Sequence, residues 1–359
     1  MKRRFLAFCL LLAGLSDASS QEGLLGRLQK ARPEQIQALL PKFPAADADR
    51  NGVLTREEAL AYARRRAGGE GSAAAPRGPA PEVTDVAYGQ HERQMLDFWR
   101  APGDGPRPLV VFIHGGGFTS GDKSKWRSSR ELAALLENGI SCAAINYRFR
   151  AHAPIQDILG DVARAIQFLR HQSGVWGLDK KRFAAWGGSA GAGSSLWLGS
   201  RDDLAAPEDP DPVRRESSRV QAVVLTATQA TYDLTRWDAF LGPADPAWWS
   251  SPDEAAQFYH FKTLADLDGP EAVPVLRECD MLSWISPGDA PVFVSNPLPD
   301  GPCSSRGHYL HHPSHARQIH EHCLRAGVPC HWLQAPEKPA LTDPLEFVRR
   351  SLGVATAAE

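Results

Sequence analysis

RFAAWGGSAGAGSSLWL, residues 182–198, decides the reading of this chain. A short apolar run meets G-x-S-x-G at Gly187, Ser189 and Gly191, then passes directly into a segment rich in Gly, Ala and Ser. Strand, tight turn and helix in that order would hold Ser189 on a sharp bend. The flanking glycines avoid clashes there, and the helix N-terminus favours negative charge beside the serine. Alone, G-x-S-x-G is a common five-residue pattern, and a serine in it can be no more than a helix cap. Upstream, however, LVVFIHGGGFTSGD (109–122) is an apolar strand that ends in His-Gly-Gly-Gly. Backbone N–H groups of Gly116 and Gly117, with that of Ala190, would then converge on a single oxyanion. The two motifs together, each at a strand end, argue against a bare turn and a mere cap.

Outward from these motifs, apolar strand-like runs alternate with helical segments from Val83 to about Leu352, the pattern of an α/β sheet. RAGGEGSAAAPRGPAPE (66–82) has no apolar period and reads as a flexible linker. Before it, within 33–65, DADRNGVLTREE (47–58) fits a calcium loop at every specified position. Asp47, Asp49 and Asn51 would supply side-chain oxygens, Val53 its carbonyl, Thr55 a direct or water-bridged oxygen, and Glu58 two carboxylate oxygens. The competing reading is a solvated acidic turn between helices. The first 20 residues combine Lys2, Arg3 and Arg4 with an apolar stretch from Phe5 to Leu15, the pattern of a signal peptide. Export to a periplasmic or extracellular location is therefore expected, and no later segment is apolar enough to cross a membrane. The five cysteines beyond it, at 142, 279, 303, 323 and 330, allow at most two disulfides. Net charge is −2 with no basic stripe, which gives no electrostatic reason to expect a nucleic-acid partner. Oligomeric state is not legible.

From about Val83 to Leu352 the chain resembles an α/β-hydrolase, of the hormone-sensitive-lipase-like and feruloyl or acetylxylan esterase-like (BD-FAE-like) branches. HGGGF and GGSAG carry the resemblance, with AAINYRF (143–149), IQDILGDVARAIQFLRHQ (155–172) and GLDKKRFAAWGGSAG (177–191). It implies a three-layer sandwich around a mostly parallel sheet, with a cap insert at about 228–282. It also implies a carboxylic-ester hydrolase working through an acyl-enzyme on small acyl or carbohydrate esters. In that family Ser189 would be the nucleophile, and Gly116, Gly117 and Ala190 the oxyanion donors. His114 would support the oxyanion loop rather than act as a base. The N-terminal unit resembles a single EF-hand, implying a structural or regulatory Ca²⁺; no cofactor is expected for catalysis.

Such folds order the triad as serine, acid, histidine. The acid is expected after APVFVSN (290–296), where Asp300 in PLPDGP is the candidate; Pro-Asp-Gly reads equally well as a plain turn. The histidine is expected after VPCHWLQA (328–335), but none occurs from Trp332 onward, and His331 lies within that strand. SSRGHYLHHPSHARQIHEH (304–322) offers His308, His311, His312, His315, His320 and His322 instead. His311 and His312, just before Pro313, are best placed, and His312 is the candidate base. The later histidines fall on a helix closed by Gly327. A metal shared by His311 and His315 is disfavoured, because Pro313 interrupts any helix through both. Two functions follow: a serine esterase with a relocated base, or an impaired α/β-hydrolase serving as a calcium-linked binding module.

Overall fold

Val-, Ile- and Ala-rich runs with no polar face form the centre of the structure, a computed structural model that describes residues 31–37, 40, 46, 53–56, 58–60 and 78–355. The chain divides into two units, Met1–Arg77 and Gly78–Glu359. In the first, Pro33–Gln37 is a helical segment with Ile36 buried. Thr55 and Glu58 close a capping box: Thr55 N and Oγ1 donate to Glu58 Oε2 at 3.0 and 2.7 Å, and Glu58 N donates to Thr55 Oγ1 at 3.2 Å. Asp47, Asp49 and Asn51 lie outside the described residues.

The second unit carries eight strands: β1 (Val83–Ala87), β2 (Met95–Trp99), β3 (Arg107–Ile113), β4 (Ser141–Ile145), β5 (Leu178–Gly188), β6 (Val223–Thr226), β7 (Val292–Ser295) and β8 (Cys330–Trp332). They form one sheet in the order β1-β2-β4-β3-β5-β6-β7-β8. Only the β1–β2 and β2–β4 pairs are antiparallel. The helices that frame it include α1 (Arg130–Glu137), α2 (Ile155–His171), α3 (Ala190–Ser200), α4 (Arg306–His311), α5 (Pro313–Ala326) and α6 (Pro344–Ser351).

Strand residues alternate between two cores, as the period of two requires. Leu109, Val111 and Ile113 pack in one core with Ile158, Val162 and Ile166 of α2, Leu196 of α3 and Ile319 of α5. Val110 packs in the other with Leu132 and Leu135 of α1 and Phe347 and Val348 of α6. The sheet is thus covered on both faces, which explains the unbroken apolar runs of its parallel strands. The expected three-layer arrangement around a mostly parallel sheet is what the unit adopts.

Parallel pairing gathers the carboxyl ends of β3, β5, β6 and β7 on one rim. Short helical turns between β6 and β7 bring Leu234, Trp237, Trp249, Glu254 and Phe258 over that rim. Among the described residues, Cys142, Cys279, Cys303, Cys323 and Cys330 are free. No described helix is long and apolar enough to cross a membrane.

Candidate active site

Ser189 sits between β5 and α3 with φ 51° and ψ −120°, a backbone conformation rarely adopted by a side-chain-bearing residue. The neighbouring glycines make the bend sterically possible. A Cβ on Gly187 would lie 2.1 Å from the Gly191 carbonyl oxygen, and one on Gly191 would lie 1.9 Å from that of Ile113. Strain held by surrounding structure is a signature of functional positions.

The group facing the serine is His311. Ser189 Oγ donates to His311 Nε2 at 2.8 Å, and His311 Nδ1 lies 3.0 Å from the Gly307 carbonyl oxygen. A carbonyl can only accept, so Nδ1 carries the proton and Nε2 presents its lone pair to the hydroxyl. Burial lowers the His311 pKa, and the Gly307 carbonyl partly opposes the shift. The ring is therefore a neutral base at neutral pH.

His312, the sequence candidate, points elsewhere. Pro313 begins α5 and keeps the preceding residue out of the helical region, so His312 adopts φ −58° and ψ 144° and α4 ends at His311. Its Nδ1 accepts from Ser314 N at 3.1 Å as the cap of α5, and its Nε2 donates to the Gly301 carbonyl at 2.8 Å. Asp300 is not brought to the base either. Its carboxylate pairs with Arg317, accepts from Gly301 N at 3.1 Å and is 59% exposed; its distance to His312 Nε2 is 3.8 Å. Asp300 thus follows the turn reading of Pro-Asp-Gly. The partner of His311 Nδ1 is a backbone carbonyl, that of Gly307.

Two residues missed in the sequence pin the base. Asn296, fully buried directly after β7, donates through Nδ2 to the carbonyls of His311 and His312 at 3.2 Å each and to that of Thr228 at 2.9 Å. Gln229 Nε2 donates to the Leu310 carbonyl at 2.8 Å. Both read as ordinary polar loop residues in a linear chain.

Gly117 and Ala190 line the same pocket as Ser189, and among the described residues their N–H groups and that of Gly116 have no acceptor. Gly116 turns the loop with φ 116°, its carbonyl accepting from Thr119 N and Ser120 N at 3.0 and 3.1 Å. His114 is buried and stacked on Tyr147 with ring centroids 4.3 Å apart. Its Nδ1 lies 2.7 Å from the Gly115 carbonyl, and its own carbonyl accepts from Tyr147 Oη at 2.6 Å. Burial lowers its pKa to about 4. His331 stays a strand residue, edge-on to Phe347. The pocket beside Ser189 holds about 90 Å³. That is smaller than the roughly 150 Å³ apolar cavity that admits benzene. Among the described residues no group of three His, Cys, Asp or Glu side chains is arranged to hold a metal.

A family model described as BD-FAE matches residues 96–252. The matched span contains the His114–Gly117 loop and Ser189 and ends before Asp300, His311 and His312. A probable carboxylic ester hydrolase, LipM of Mycobacterium tuberculosis, is 34% identical over 206 residues, 52% of this chain and 45% of the relative. Esterase LipQ of the same organism is 29% identical over 163 residues, 44% of this chain and 37% of the relative. The chain thus spans less than half the length of these curated relatives. A truncated carbohydrate esterase from gut microbiota superposes with a TM-score of 0.55 at 17% identity, covering 72% of this chain and 88% of that one. The strand order, the serine elbow between β5 and α3 and this superposition identify the fold of the second unit as that of the α/β-hydrolases.

Proposed function

We propose that the chain is a serine-dependent carboxylic-ester hydrolase acting on short acyl or carbohydrate esters through an acyl-enzyme. The observation that carries this reading is the 2.8 Å Ser189–His311 hydrogen bond at a strained elbow, beside the free N–H groups of Gly117 and Ala190. Ser189 Oγ attacks the ester carbonyl while His311 Nε2 takes its proton; the carbonyl oxygen becomes an oxyanion facing the N–H groups. Collapse breaks the ester bond, and His311 returns the proton to the departing alcohol. Water, deprotonated by the same nitrogen, then releases the acid and restores Ser189. The named esterase relatives support the reaction class.

We further propose export, and calcium held by Asp47, Asp49, Asn51, Val53, Thr55 and Glu58. These are hard oxygen donors suited to that ion, and bound calcium would fix the helix that begins near Thr55 without entering the ester chemistry. Purified protein should hydrolyse p-nitrophenyl acetate and butyrate. Ser189→Ala should lower kcat by a factor on the order of 10⁴ to 10⁶. Equal rates for the two proteins would overturn the assignment of Ser189.

A further inference from the structure

Arg150, on the wall of the pocket that contains Ser189, is a cation whose guanidinium, over the Phe258 ring at 5.7 Å, has no hydrogen-bonded partner among the described residues. Its backbone is fixed from both sides: its N–H donates to the Phe118 carbonyl at 2.7 Å and its carbonyl accepts from His260 Nε2 at 2.7 Å. Its guanidinium makes no hydrogen bond among the described residues, and Nε is buried with no acceptor. The side chain is only 22% exposed, and the nearest carboxylate oxygen, Glu254 Oε1, is 3.9 Å away. Glu254 is already engaged by Arg306, which bonds both its oxygens, and by the N–H and hydroxyl of Ser250. One carboxylate between two guanidinium groups leaves a net positive charge on this wall. The rest of the lining, including Phe118, Tyr232, Leu234, Trp237 and Phe258, is largely apolar. Such surroundings strengthen attraction between opposite charges relative to water, and a planar guanidinium matches a carboxylate with two parallel hydrogen bonds. A plain alkyl ester would leave those donors unmatched.

We propose that Arg150 selects esters bearing a carboxylate close to the scissile bond. The inference rests on the esterase reading and narrows its substrate class. It is tested with paired substrates of equal carbon count. Mono-4-nitrophenyl succinate against 4-nitrophenyl butyrate places the charge on the acyl side. Acetoxyacetate against ethyl acetate places it on the alcohol side. In at least one pair, kcat/KM should favour the anionic ester about tenfold or more. Arg150→Gln should reduce that ratio at least tenfold, and Arg150→Lys should restore part of it. A purely structural arginine would lower both members of a pair together and leave the ratio unchanged. Ratios at or below one in both pairs, or a ratio indifferent to Arg150→Gln, overturn the proposal.

Calorimetric titration of Ser189→Ala with succinate separates the proposal from the reaction assignment. Should no ester be hydrolysed, the esterase reading fails. Saturable succinate binding, weakened at least tenfold when Arg150→Gln is added, would still support the carboxylate site. No binding, or binding unaffected by Arg150→Gln, would then reject it.

Discussion

A neutral imidazole needs only the correct tautomer to accept a proton, and His311 obtains it from the Gly307 carbonyl one helical turn before it in α4. What the carbonyl lacks is the full negative charge that would stabilise the imidazolium once formed. Where a triad aspartate is made neutral, much of the loss comes from the wrong tautomer; a carbonyl avoids that part of the cost. His311→Ala should therefore lower kcat by a factor on the order of 10⁴ or more, close to loss of the serine itself. His312→Ala and Asp300→Asn should each retain kcat within about tenfold, because neither side chain contacts His311 or Ser189; steady-state kinetics of the three variants decides between the neighbours. Burial, the larger influence on His311, pulls its pKa below the ordinary imidazole value of about 6.5. The base is active when unprotonated, so kcat/KM should rise through an acid limb centred below pH 6.5 and stay level above it. A pH–rate profile with its midpoint at or above 7 would contradict the buried, carbonyl-held base.

Elements, rather than single residues, separate what could be read from what could not. The Ser189 elbow and the His-Gly-Gly-Gly loop were legible because each is a local backbone demand. Gly187 and Gly191 face carbonyl oxygens closer than any Cβ tolerates, and Gly116 needs a positive φ. The sheet was legible from unbroken apolar runs. Choosing between adjacent histidines was not a matter of periodicity; it depended on where Pro313 ends one helix and begins the next. Asp300 satisfied chain order but obeyed its own turn. The buried amide that locates the base, Asn296, belongs to the end of β7 and acts on a helix 15 residues later. Nothing in a linear reading marks it. Asn296→Ala strands three carbonyls that now share one donor group, and lost buried partners of this kind cost about 1–3 kcal/mol. It should lower the thermal unfolding midpoint and reduce kcat about 10- to 100-fold, with a smaller change in KM. Unchanged kcat would mean that the turn carrying His311 holds its place without the amide.

At the scale of the whole second unit, acid should act through histidines that the fold keeps neutral. His315 is fully buried where α5, the start of the insert and α4 meet; its Nδ1 accepts from Ala230 N at 3.1 Å, and its Nε2 donates to the Tyr309 carbonyl at 3.1 Å. Burial lowers its pKa to about 3, and that of His114 to about 4. Protonation would set an N–H of His315 against the N–H of Ala230 and place charge beside the aromatic wall of Trp237 and Phe240. Both pKa values are depressed in the folded state, so the unfolded chain takes up protons first as pH falls. The stability tied to the neutral rings is fully present above about pH 6.5 and is lost progressively as pH falls toward 4 and then 3. For His114 alone the shift corresponds to on the order of 3 kcal/mol. Thermal unfolding followed from pH 8 to 4 should show a level midpoint down to about 6.5 and then a steady decline, beginning above the range in which ordinary carboxylates titrate. His315→Gln retains a donor and an acceptor without the titratable ring, so it should weaken that decline even if it lowers the midpoint at pH 8. A midpoint level down to pH 4 in the parent protein would mean that these rings are not held neutral by burial.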